Sequence, residues 1–398
     1  MEQIVNNTVS TPNFSASYPI LNKYLMESGS SVPSRNGGTK EILNFKTELT
    51  NPYLRCVGGF GRDMNIFFLL AEAFWIFSGR KDVAFLKIFN ERMGDYSDDG
   101  KSFHAPYGFR LRHYGINSFD TLTEENKHSG QGLDQIEKAV KMLSNNPDDR
   151  RVVLSIWNPD LDLATTSLDL PCNDLLMFKI RNGQLHTTIS NRSNDLHWGL
   201  PTNIFQFGTV SELLALTLGV ELGTQVHNSQ SLHYYLENQI AWKLYENYQM
   251  LANDKDKIEG DLYNVCGSKP FIKMDYNFDK IGNVDLTPNN KLSQLDSIIN
   301  QMIDRSTEPF NIDFAKALGE KSIYFLTTYT LLTIYVEYKQ KTPSDSARLA
   351  ALDKVIMLGD LIKRPKCDLI VMAQNFFLSR VKIKPDMIMT FDKRIGKL

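Results

Sequence analysis

The stretch LDLPCNDLLMFKI, residues 168–180, places one cysteine between a proline and an asparagine at the entry to an apolar segment. Free cysteine packs as a small hydrophobe and is among the most buried residue types, so Cys172 taken alone reads as core before it reads as a nucleophile. Its surroundings say what it belongs to. LLMFKI and QLHTTIS flank RNG, the signal of a β-hairpin. NIFQFGTVSELLALTLGV (203–220) then has helical period, and TQVHNSQSLHYY (224–235) is extended again. A mixed sheet with helices laid on it gives an α+β layer architecture.

The rest of the chain sets bounds. Its 398 residues leave room for a large core, and 44 Lys and Arg against 46 Asp and Glu give a net charge of −2. That balance argues against a protein that coats nucleic acid or an anionic membrane. Cys56, Cys172, Cys266 and Cys367 lie far apart with no CxxC pair, so neither a disulfide framework nor a metal site is expected, and a reducing compartment fits better. The opening residues show no secretory pattern. Segments 64–79 and 322–338 are apolar but interrupted by Glu72 or by Thr and Tyr, so they read as buried helices rather than membrane spans. A cytoplasmic location follows, the host's if the source is viral.

Upstream, SRNGGTKE (34–41) reads as a glycine-containing loop, 64–79 as a helix closed by Gly79, GLDQIEKAVKMLSNN (132–146) as a helix, and RRVVLSIWN (150–158) as a strand. Downstream, 254–290 is polar with weak signals, and 291–380 reads as successive helices. The division expected is a catalytic body over 1–240 and a mostly helical extension over 241–398, with a soft boundary that allows one domain.

Several local patterns have a bland reading each. Arg150 and Arg151 suit a solvated pair or phosphate recognition. Arg192, Ser193, Asp195 and Asn203 surround a Gly-Leu-Pro turn and could cap the next helix through Thr202 or Asn203. His233 and Tyr235 share one face of a strand and could be a packed pair.

Taken in order, these pieces resemble the thymidylate synthase family, which includes pyrimidine nucleotide hydroxymethylases. The matching elements are Arg35; EAFWIFSG with Glu72 and Trp75; PYG with Tyr107; Arg150 and Arg151; Pro171 and Cys172; RSNDLHWGLPTN; and His233 with Tyr235, spanning about residues 30–240. The resemblance makes Cys172 the nucleophile that adds to pyrimidine C6, dividing one hard step. It implies that Arg35, Arg192 and Ser193 hold the nucleotide phosphate, that Arg150 and Arg151 reach it from the other subunit of a homodimer, and that His233 and Tyr235 take the sugar hydroxyl. Glu72 would organise water, and Tyr107 would stand near the C5 proton. Asn173 and Asp195 join the catalytic set, and Glu72, Asp195, Gly199 and Phe89 face 5,10-methylenetetrahydrofolate, the co-substrate. Neighbouring arginine charge is expected to depress the Cys172 pKa. Asn203, a carboxamide, suits uracil, so the substrate is dUMP.

Three departures bear on the product. Asn173 replaces the histidine usual after the cysteine, IFNERMGDY (88–96) replaces a tryptophan-rich folate wall, and the chain runs on to DKRIGKL after a helical extension instead of a short apolar closing terminus. These favour water over hydride as the final reactant. The expected product is 5-hydroxymethyl-dUMP, as suits a virus or phage that replaces thymine in its DNA. Thymidylate synthesis is the alternative, and an inactive nucleotide- or RNA-binding member is the reading from another class.

Overall fold

The computed structural model describes residues 4–34, 37–57, 62, 64–119, 132–239, 242, 243, 245, 246, 273–278, 286–364 and 367–381. Arg35, Cys266, most of 254–290 and the DKRIGKL segment lie outside these residues.

Eight strands form one mixed sheet: β1 (Thr8–Thr11), β2 (Ser30–Ser34), β3 (Gly37–Leu49), β4 (Val153–Ser155), β5 (Asn173–Arg181), β6 (Gln184–Asn191), β7 (Asn194–Asp195) and β8 (Glu221–Tyr235). Their order is β1-β3-β8-β6-β5-β4, with β2 on β3 and β7 on β8. The β5–β6 hairpin turns at Asn182 (φ 52) and Gly183 (φ 71), the two left-handed residues that a tight type I′ turn needs. Within the loop expected at 34–41, Ser34 ends β2 and residues 37–41 open β3, which pairs with β2 antiparallel. The strand expected over 150–158 shrinks to 153–155: Asp149 caps the Arg151 N–H, and Ile156 and Trp157 both donate to one carbonyl, that of Asp174, which ends the ladder.

Helices α1 (Phe14–Ser28), α2 (Ile66–Phe77), α3 (Val83–Phe89), α4 (Tyr107–Arg112), α5 (Gln135–Asn145), α6 (Pro159–Asp162) and α7 (Gly199–Leu218) belong to the first part of the chain. Asn65 caps α2 by accepting from the Phe68 N–H, and Gly79 follows its end at φ 70, where an added Cβ would lie 2.8 Å from Arg112 Cβ. Helix α7 begins at Gly199 behind Trp198 with no side-chain cap, so Thr202 and Asn203 lie inside the helix rather than at its cap.

Helices α8 (Pro288–Ser306), α9 (Ile312–Lys321), α10 (Ile323–Lys339), α11 (Asp345–Leu361) and α12 (Asp368–Leu378) make the extension. Three of them, α8, α10 and α12, rest on α2. The Phe67 ring lies 4.8 Å from Tyr335 and 5.3 Å from Phe376, and Phe89 stacks 5.5 Å from Tyr335 on its other side. Arg112 holds Asp296 at 2.7 Å, tying α4 to α8. The buried apolar cluster runs without a break through both parts.

Candidate active site

Cys172 sits on the turn that enters β5. Its N–H donates to the Tyr107 hydroxyl at 3.3 Å, and its Sγ lies 3.9 Å from the Leu170 carbonyl oxygen. Arg192, at the end of β6, reaches back to the same turn: Nε donates to Pro171 O at 2.8 Å and Nη2 to Leu170 O at 3.4 Å. The guanidinium therefore has a fixed seat beside the thiol, with N–H groups left over for an anion. The expected depression of the Cys172 pKa does not follow. Burial pushes the thiol up, the Arg192 charge only partly opposes this, and the carboxyls of Asp169, Asp174 and Asp195 add to the rise.

Glu72 arrives from α2. Burial raises its carboxyl to about 8, and Gln206 Nε2 donates to its Oε2. The group is therefore mostly protonated at neutral pH and able to give a proton. Gln206 follows Asn203 by three residues on α7, so both lie on one helix face; that spacing was the available signal for a residue the motif reading missed. Burial likewise pushes the Tyr107 hydroxyl up, and its ring stacks on Phe207 of α7 at 6.1 Å. Asp169 was also missed. Its Oδ2 accepts the Ala105 N–H at 2.8 Å, and its carboxyl, raised mainly by burial, bears on Glu72, Tyr107 and Cys172.

Asn173 is fully buried, and its Nδ2 donates to Asn203 Oδ1 at 3.1 Å. One hydrogen bond thus joins the residue after the thiol to the candidate base reader. Asp195 pairs in register with His233 across β7–β8. Its Oδ1 accepts the Trp198 N–H, burial raises its pKa, and its Oδ2 is buried with no partner among the described residues. His233 Nδ1 lies 3.4 Å from Ser231 Oγ, and its ring meets Tyr235 edge-on at 5.2 Å. Ser193 is half-buried between β6 and β7.

Three expected residues stand away from this cluster: Phe89, against expectation, and Arg150 and Arg151, which were expected to serve the other subunit's site. Phe89 is 2% exposed, stacked on Tyr335 and tilted against Phe85, so it packs the extension onto α3 and is buried away from a folate. The following 91–96 segment is a 3-10 turn with no buried residue. Arg150 and Arg151 are exposed, and Arg151 forks onto its own Asp149 at 2.7 and 3.0 Å. Val153 pairs with Met177, so Arg151 stands level with Lys179, seven residues along β5 from Cys172 and about 23 Å away. A cavity of about 430 Å³ opens beside Arg192, walled by Tyr114, Trp157 and Asp174, but Cys172 does not line it. No group of three or more candidate metal ligands occurs among the described residues, and none of their helices is long and apolar enough to cross a membrane.

Residues 18–310 match the family model described as thymidylate synthase. The deoxyuridylate hydroxymethyltransferase of Bacillus phage SP01 is 38% identical over 264 residues, covering 65% of this chain and 67% of that protein. The protein of the same name from Pseudomonas phage M6 is 37% identical over 241 residues, covering 58% and 63%. The thymidylate synthase of Bos taurus is 32% identical over 167 residues, covering 42% and 46%. The chain thus spans about two thirds of the length of the phage relatives it matches.

Proposed function

We propose, from the premise that this chain belongs to the thymidylate synthase family, that it is a one-carbon transferase that hydroxymethylates dUMP at C5. The observation that carries the reading is the single hydrogen bond from Asn173 to Asn203 beside Cys172. A pyrimidine whose O4–N3 edge meets Asn203 presents C6 toward the thiol. Addition of Cys172 Sγ to C6, with loss of the thiol proton, makes C5 nucleophilic. The folate supplies a one-carbon unit at the oxidation level of formaldehyde. Protonated Glu72, held by Gln206, would give and regain protons at the base, and Tyr107, whose hydroxyl accepts the Cys172 N–H, would stand near the C5 proton to be removed. Water then adds to the methylene left on C5 as Cys172 leaves.

The residues present fit a folate. Asp195 Oδ2 is a buried acceptor with no donor among the described residues, and Trp198, next in the chain to buried His197, keeps half of its surface exposed. The same folate wall lacks the Phe89 ring, which supports water as the final reactant. The phage relatives' names support the same product. Arg192 would bind the phosphate, together with Arg35 and Ser193, and His233 and Tyr235 the sugar. Arg150 and Arg151, which precede β4 beside the end of β5 remote from Cys172, would serve a partner's site. Mixing Arg151→Ala chains with Cys172→Ala chains should then restore activity; no recovery after verified subunit exchange counts against sharing.

The deciding experiment is mass spectrometry of the product from dUMP and methylenetetrahydrofolate in oxygen-18 water. Labelled 5-hydroxymethyl-dUMP with tetrahydrofolate is expected. Unlabelled dTMP with stoichiometric dihydrofolate would make the enzyme a thymidylate synthase instead.

A further inference from the structure

A chain of side-chain amides runs beneath the nucleophile. Asn191 Nδ2 donates to Asn173 Oδ1, Asn173 Nδ2 to Asn203 Oδ1 at 3.1 Å, Asn203 Nδ2 to Asn194 Oδ1 at 3.1 Å, and Asn194 Nδ2 to Ser229 Oγ at 3.0 Å. All five side chains are buried. The sheet register puts them there. Asn173 and Asn191 are partners across β5–β6, and Asn191 and Ser229 are partners across β6–β8. Among the described residues Asn191 Oδ1 is buried without a donor, and the Ser229 hydroxyl opposite it donates no hydrogen bond. The five groups are a ring one bond short of closure.

A lone carboxamide can turn over and exchange its oxygen for its NH₂, so it reads a donor–acceptor edge in either sense. Uracil offers an acceptor at position 4 and a donor at 3, and cytosine offers the reverse. A free asparagine would therefore judge poorly between them. In this chain, turning Asn203 alone sets NH₂ against the Asn173 NH₂ and oxygen against Asn194 Oδ1, losing two buried hydrogen bonds at once.

We propose that Asn191, Asn194 and Ser229 are positioning residues that lock the polarity of the Asn203 carboxamide and so set the preference for uracil over cytosine. The proposal rests on Asn203 being the base contact. Gly199 is part of the same device, because a Cβ there would lie 3.1 Å from Asn194 Oδ1 and crowd the ring.

The test is tritium release from C5-labelled dUMP and dCMP with methylenetetrahydrofolate, giving kcat and KM for each. Asn194→Ala and Ser229→Ala should each cut the dUMP-over-dCMP preference about tenfold or more, the worth of one buried hydrogen bond. The change should appear in the two KM values, with kcat on dUMP nearly constant. Asn194→Asp should keep the preference, since a carboxylate accepts from both Asn203 Nδ2 and the Ser229 hydroxyl. Unchanged preference in both alanine variants, melting as the wild type does, would overturn the ring while leaving the base contact standing, provided Asn203→Asp shifts it. If Asn203→Asp shifts nothing, the base contact itself fails and takes the ring with it. Should Asn194→Ala not fold, Ser229→Ala, which removes one oxygen, decides alone.

Discussion

Helix α2 has two sides built on opposite principles. One side delivers Glu72, a buried carboxyl kept protonated, to the Gln206 amide of α7 and into the field of Asp169. The other side delivers Phe67 and Phe74 into rings from the extension: Tyr335 and Phe376 around Phe67, and Phe325 beside Phe74. The first side holds polar groups out of water at a cost in stability, and the second supplies the apolar burial that offsets it. The described helices of the extension thus act as a buttress behind α2.

The contrast breaks most visibly at the thiol. Cys172→Ser should lower turnover about a thousandfold or more, as loss of a covalent nucleophile does, while the midpoint of urea unfolding and dUMP binding by calorimetry stay close to wild type. Near-normal turnover would remove the covalent route.

On the other side the expected effects exchange places. Tyr335→Ala should destabilise by about 3–5 kcal/mol, the usual cost of emptying a buried aromatic site. Its hydroxyl also donates to Phe89 O at 3.2 Å, so Tyr335→Phe should cost about 1 kcal/mol. Urea unfolding reads both, and an unchanged midpoint for Tyr335→Ala would mean that the buttress carries no weight.

Glu72→Gln joins the two sides in one variant. The carboxyl ionises at about 8 in the fold against 4.5 in the unfolded chain. Below 4.5 both states hold the proton and no penalty exists. Between 4.5 and 8 folding must take a proton up, so the wild type loses stability as pH rises; above 8 the loss is complete. The Gln variant should therefore melt higher than wild type by a margin that grows from pH 5 to 8, reaching at most a few kcal/mol. It should lose about a hundredfold in tritium release, and wild-type activity should fall as pH passes 8. A margin that shrinks with pH would contradict the raised pKa.

The smallest effect belongs to charge on the extension's rim. Lys339 Nζ meets Glu91 at 2.9 Å with Glu91 largely in water, a geometry that contributes little. Lys339→Ala should leave the unfolding midpoint within replicate scatter. A clear drop would show that ion pairs, not rings, hold the extension down.

What could be read from the amino acids follows the range of the forces involved. The β5–β6 hairpin, α2, α5, α7 and β8 are local in cause, through Asn182–Gly183, the Asn65 cap and periodic apolar residues, and they stand near where their patterns put them. Motif order assigned Cys172 and Tyr107 to one site, and spacing put His233 and Tyr235 on one strand face, but the hydrogen bond from the Cys172 N–H to Tyr107 was not legible. Nor were burial and partners. Phe89 reads as a wall until Tyr335, far along the chain, closes on it. The Cys172 pKa reverses direction because burial and three carboxyls outweigh one arginine already bonded to the backbone. The 1–240 boundary was drawn where the pattern changes, yet the apolar core crosses it, because a change of periodicity carries no information about which faces meet.

The Asn65–Tyr335 hydrogen bond joins residues 270 positions apart. During synthesis at about 5–20 residues per second, α10 emerges roughly 15–50 s after α2. Through that interval the Phe67 face of α2 has no cover of its own, and Glu72 has no fixed backing. The nascent chain therefore carries an exposed apolar helix face through that interval. The Glu72 carboxyl, on the same helix, reaches its final setting only when translation is well past it.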